Sequence, residues 1–115
     1  PLPPLARAVA YIQQHYTECV RIEHLAQLTG LTSRQLERLI KRHYHLTPVQ
    51  LLARTRIDAA MQQLTQSRDS VANIASACGY SDQSAFTRQF KAAVGMTPSR
   101  FRAVARGGDV SSSLM

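Results

Sequence analysis

Apolar residues recur along this chain at spacings of three and four, and no segment alternates with period two. Leu5, Val9, Ile12 and Tyr16 are separated by 4, 3 and 4. That spacing predicts an amphipathic helix from about Pro4 to Thr17. After a connection at Glu18–Arg21, Ile22, Leu25, Ala26 and Thr29 continue as a short second helix that stops at Gly30. Thr32, with Gln35 three residues on, reads as a capping box opening a third helix. Its expected buried ladder is Leu36, Leu39 and Ile40, then His43 or Tyr44. Thr47-Pro48 restarts the chain as a fourth, long helix to about Gln66, burying Leu52, Ile57, Met61 and Leu64 with Ala53 and Ala60 between them.

Ser67–Ser70 is polar and breaks that helix. Val71, Ile74, Ala75 and Cys78 then fall at i, i+3, i+4 and i+7 on a fifth helix, and Gly79 is its stop. Ser81 or Asp82 can cap a sixth helix with the ladder Phe86, Phe90 and Val94, ended by Gly95. Thr97-Pro98 starts a seventh. After Ala105 the chain turns to Gly107-Gly108 and Ser111–Ser113, the composition of a disordered tail over 106–115. The fold class is therefore all-α, with seven helices.

The two halves repeat. Ala26 and Gly30 match Ala75 and Gly79 at an offset of 49, whereas Leu36, Arg38, Ile40, Lys41, Thr47 and Pro48 match Phe86, Arg88, Phe90, Lys91, Thr97 and Pro98 at an offset of 50. One extra residue thus falls in the second turn. Two short helices across a glycine-containing turn make a helix-turn-helix, whose second helix can enter a DNA major groove. The expected organisation is a linker stub (1–4), a first helix-turn-helix subdomain (5–46), a linker helix (47–66) and a second subdomain (67–105). About nineteen linker residues at ~1.5 Å each span roughly 28 Å. With packing offsets, that brings the two recognition helices to a separation comparable with one DNA turn, ~34 Å.

The stretch Ile74–Arg102 carries the pattern IAxxCGYxDxSxFxRxFKxxxGxTPSxFR. It resembles the C-terminal signature of the AraC/XylS family of bacterial transcription regulators, and the resemblance extends from about Leu5 to about Val104. It implies a sequence-specific double-stranded DNA-binding domain, usually of an activator that contacts RNA polymerase. It also implies a sensor domain ahead of Pro1 through which a parent protein could dimerise. The PLPP start fits that expectation of a fragment.

Charge agrees. Fourteen Lys+Arg against seven Asp+Glu give +7 and a pI near 10.3, a balance that points to an anionic partner, most often nucleic acid. The third helix leaves Arg34, Glu37, Arg38 and Lys41 opposite its ladder, and the sixth leaves Ser84, Thr87, Arg88 and Lys91 there, each at an offset of 50. Gln83 lies one residue earlier. These side chains hydrogen-bond base edges and phosphates. In the AraC/XylS family, residues early in the two helices contact bases. The matching positions here are Arg34, Glu37 and Arg38, then Gln83, Ser84, Thr87 and Arg88. Glu37 departs from the uncharged polar residue that the resemblance implies. Lys41, Arg42, Arg54, Arg56, Lys91 and Arg100 are placed as phosphate neutralisers.

Other chemistry is sparse. Cys19 and Cys78 make no disulfide framework and read as reduced cytosolic thiols. No apolar run approaches a membrane span. His15 and Cys19 are spaced as half a metal site, but no second pair completes a tetrahedral set, so no metal or other cofactor is expected. No nucleophile motif, phosphate loop or paired carboxylates suggest an enzyme. Tyr44, Tyr80, Phe86, Phe90 and Phe101 are expected in core or turn packing. A helical protein-interaction module that kept the fold and lost DNA binding is the alternative, opposed by the basic balance and the two polar outer faces.

Overall fold

Pro4 opens α1 (Pro4–His15) at the first helical position, where a missing N–H leaves nothing unpaired. The computed structural model describes residues 2–107. Among them six further helices follow: α2 (Ile22–Thr29), α3 (Ser33–Tyr44), α4 (Pro48–Gln66), α5 (Val71–Ala77), α6 (Gln83–Val94) and α7 (Pro98–Ala105). The described residues contain no strand. The expected tail lies outside them from residue 108 onward.

The chain divides into two units that meet between Thr55 and Arg56, inside α4. In the first, Ala8, Ile12, Leu25, Ala26, Leu36, Ile40 and Leu51 form one buried cluster, with Leu5, Val9 and Leu46 packed against it. Arg7 Nη2 donates to the Thr29 carbonyl at 3.3 Å, tying α1 to the end of α2. In the second, Phe86 and Phe90 are fully buried. A run of ring contacts joins Tyr80 to Phe86 (5.1 Å between centroids), Phe86 to Phe90 (5.7 Å) and Phe90 to Phe101 (5.6 Å), linking the turn, α6 and α7. Burying one such aromatic side chain contributes roughly 1.5–3 kcal/mol.

Several expected positions are corrected. α1 ends at His15 rather than near Thr17: Glu18 N–H donates to the His15 carbonyl at 2.9 Å and closes the last turn. Its fully buried residues are Ala8 and Ile12, not Tyr16, which caps the end. His43 and Tyr44 are exposed, Tyr44 by 40%. α3 stops there because His45 turns left-handed (φ 59°), and Leu46 beyond the turn packs on the core instead. On α4, Leu51 is buried and its neighbour Leu52 only half-buried, as is Met61. Leu51 belongs to the first unit's core, whereas the buried Ile57, Ala60 and Leu64 belong to the second unit. The break between the two units thus falls within the expected linker helix, 47–66.

Candidate nucleic-acid interface

Each unit carries the same frame. Gly30 (φ 74°) and Gly79 (φ 97°) take the left-handed conformation that ends the first helix of the pair, a conformation glycine adopts without steric cost. The N–H of the next residue then reaches back five residues, Leu31 to the Ala26 carbonyl (3.2 Å) and Tyr80 to the Ala75 carbonyl (3.0 Å). These pairs keep the offset of 49. The caps that follow, Thr32 and Asp82, are offset by 50. The extra residue of the second turn is therefore Ser81, between Tyr80 and the cap.

The caps fix where each second helix starts. Thr32 Oγ1 accepts from the Gln35 N–H at 3.1 Å, and Gln35 Oε1 accepts from the Thr32 N–H at 2.9 Å. Asp82 Oδ1 accepts from the Ser84 N–H at 2.9 Å. Inward, Leu36 and Ile40 on α3 and Phe86 and Phe90 on α6 are all fully buried, so the two helices are rotated alike within their own units. Outward, Arg34, Glu37, Arg38, Lys41 and Arg42 are exposed on α3, as are Gln83, Ser84, Arg88 and Lys91 on α6. Thr87 is half-buried, less open than Glu37 at the matching position. Glu37, Arg38, Lys41, Arg42, Thr47 and Pro48 line a depression of about 620 Å³ beside the start of α4.

The α4 start repeats the α3 cap: Thr47 Oγ1 accepts from the Gln50 N–H (3.1 Å) and Gln50 Oε1 from the Thr47 N–H (2.9 Å). At α7, Thr97 Oγ1 accepts from the Arg100 N–H at 3.3 Å. Arg54 and Arg100 are exposed. Arg56 differs from the other basic residues expected to neutralise phosphates, all of which are exposed. It is half-buried, with its guanidinium carbon 5.6 Å from the centre of the Tyr80 ring. Tyr80 in turn donates its hydroxyl to Gln89 Oε1 at 2.7 Å. Burial pushes the Tyr80 hydroxyl and the nearby Cys78 thiol above their ordinary values, and the Arg56 charge opposes both shifts.

Reasoning from sequence missed two further arginines that hold the second unit. Arg102 donates to the Leu64 carbonyl (3.0 Å) and the Ser67 carbonyl (3.4 Å), and Arg106 also donates to the Ser67 carbonyl. Both cations thus sit at the negative end of α4. Their partners lie 35 to 39 residues away in sequence, so no local spacing could have revealed them. Among the described residues no cluster of His, Cys, Asp and Glu could hold a metal ion, and no helix is long and apolar enough to cross a membrane.

A family model described as a helix-turn-helix domain matches residues 25–103. An AraC-type DNA-binding domain protein of Chromobacterium violaceum superposes with a TM-score of 0.85 at 30% identity, covering 90% of this chain and 92% of that one. The chain belongs to the AraC-type helix-turn-helix family. Within it, the DNA-binding domain of AdpA, solved in complex with a target DNA, is similar at a TM-score of 0.84 and 29% identity, over 92% of this AraC-type chain and 96% of that domain. The transcriptional activator RhaS of Escherichia fergusonii is 36% identical over 107 residues, 93% of this chain but 37% of RhaS. The chain spans about a third of the length of the curated relatives it matches.

Proposed function

We propose that this AraC-type domain binds double-stranded DNA sequence-specifically and regulates transcription, with α3 and α6 each lying in a major groove. The observation that carries this reading is the repeated outer face. Two copies of one frame expose arginine at the same helical position, Arg38 and Arg88, with lysine three residues on. Arginine pairs bidentately with guanine, while Gln, Ser and Thr serve the remaining base edges, which assigns readout to Arg34, Glu37 and Arg38 and to Gln83, Ser84, Thr87 and Arg88. Lys41, Arg42, Arg54, Lys91 and Arg100 neutralise phosphates, and Arg56 assists through its exposed portion. The function is binding without catalysis, in the cytoplasm. Activation through RNA polymerase, and dimerisation through a further part of a longer protein, belong to the same proposal. AdpA's solved DNA complex and RhaS's designation as an activator support it.

The test is selection of bound duplexes from a random pool, repeated with Arg38→Ala and Arg88→Ala. Each change should relax preference in a different half of the selected site. If both variants select the parent's motif unchanged, the readout assignment fails. A parent that shows no salt-sensitive affinity for duplex DNA would defeat the whole reading.

A further inference from the structure

Glu37 is the one acid on the basic outer face of α3. It lies three residues after Arg34, next to Arg38 and four residues before Lys41. An i,i+4 pair with Lys41 is within easy reach on a helix. Yet among the described residues no basic side chain comes within ion-pairing distance of Glu37. Its carboxylate is exposed and shares the wall of the depression beside the start of α4 with Arg38, Lys41 and Arg42. Against a phosphate backbone, an unneutralised carboxylate is repelled wherever it meets no hydrogen-bond donor. It can only accept.

We infer that Glu37 reads an exocyclic amino group in the major groove, with cytosine N4 its preferred donor. The inference rests on the proposed DNA-binding function and deepens it by naming the base. The major-groove edge offers donors only at cytosine N4 and adenine N6, whereas guanine and thymine present acceptors that a carboxylate avoids. Adenine sets the N7 acceptor beside its amino group, facing the second carboxylate oxygen. Cytosine has a C–H there. The sign of the Glu37 charge therefore selects against guanine and thymine, and the N7 lone pair selects against adenine.

The second unit lacks this filter. Its matching residue is Thr87, a neutral hydroxyl that donates or accepts and is half-buried. The two halves of the DNA site consequently differ at this position, with a strict cytosine under α3 and a tolerant base under α6.

Duplex selection with the parent, Glu37→Ala, Glu37→Gln and Arg38→Ala tests this. The parent should select cytosine at one position of one half-site, and replacing that C·G pair by T·A should weaken binding by about tenfold, the scale of one good base contact. In Glu37→Ala the same replacement should matter less than about twofold, every other selected position staying as in the parent. Glu37→Gln should move the preference to adenine, which an amide pairs with at N6 and N7. Glu37 is exposed, so none of these changes disturbs a core. The inference is overturned if Glu37→Ala and Glu37→Gln select the parent's motif while Arg38→Ala alters it. A parent that selects no motif overturns the underlying DNA-binding proposal as well.

Discussion

His45 carries at the end of α3 the left-handed backbone that Gly95 carries fifty residues later, φ 59° against 94°. Both N–H groups close their helix at 2.8 Å, on the carbonyls of Lys41 and Lys91. A side chain in this conformation costs about 1 kcal/mol that glycine avoids. His45→Gly should therefore raise stability by about 0.5–1 kcal/mol, and Gly95→Ala should lower it by about 1 kcal/mol, read from urea midpoints. The cysteines differ just as plainly. Cys19 is exposed, and Cys78 is buried, with its thiol held neutral to higher pH by desolvation. A thiol reagent should modify Cys19 rapidly and Cys78 only on unfolding. Burial also raises Tyr80, so both groups bind protons more tightly folded than unfolded. Their contribution is fully present below about pH 9 and is lost as pH rises through the raised values. Urea midpoints at pH 8 and 10.5 should show that loss, and Cys78→Ala should show less of it.

At the scale of elements, α4 is held at its end by side chains from α7. Arg102 is half-buried on the Leu64 and Ser67 carbonyls. Arg102→Ala should cost about 1–2 kcal/mol by stranding acceptors at a helix terminus, with Arg102→Lys recovering part of it, as thermal denaturation can measure. This contact was illegible in the sequence because it depends on where α7 folds back. The ladders of α3 and α6 were legible because each helix buries one face in one core, so Leu36 with Ile40 and Phe86 with Phe90 recur at strict spacing. α4 defeats that logic. It serves one core through Leu51 and belongs to another unit by Ile57, so its apolar residues trace no single stripe, and Leu51 and Leu52 are indistinguishable by type. Ala8 is too small to mark a buried face, and Tyr44 is apolar enough to suggest one it does not join. On the candidate site, the outward placement of Arg38 and Arg88 followed from the ladders alone. The ring beneath Arg56 and the partial burial of Thr87 needed the fold.

Across the whole molecule, a surplus of seven positive charges makes the proposed binding an ionic-strength measurement. Each lysine or arginine that neutralises a phosphate adds about one unit to the slope of log affinity against log salt. Lys41→Ala should lower that slope by about one and weaken all duplexes alike, whereas Arg38→Ala should weaken the selected duplex most. Nitrocellulose or fluorescence titrations at several salt concentrations separate the two behaviours. The boundary between the units carries a different kind of consequence, for the gene rather than for binding. Because it falls inside the uninterrupted α4, there is no spacer here in which codons can be gained or dropped freely. A single-codon insertion between Leu51 and Ile57 would turn every later α4 side chain by about 100° around the axis relative to Leu51. Chimeras of this domain with its relatives should be spliced within α4 only at matched codons.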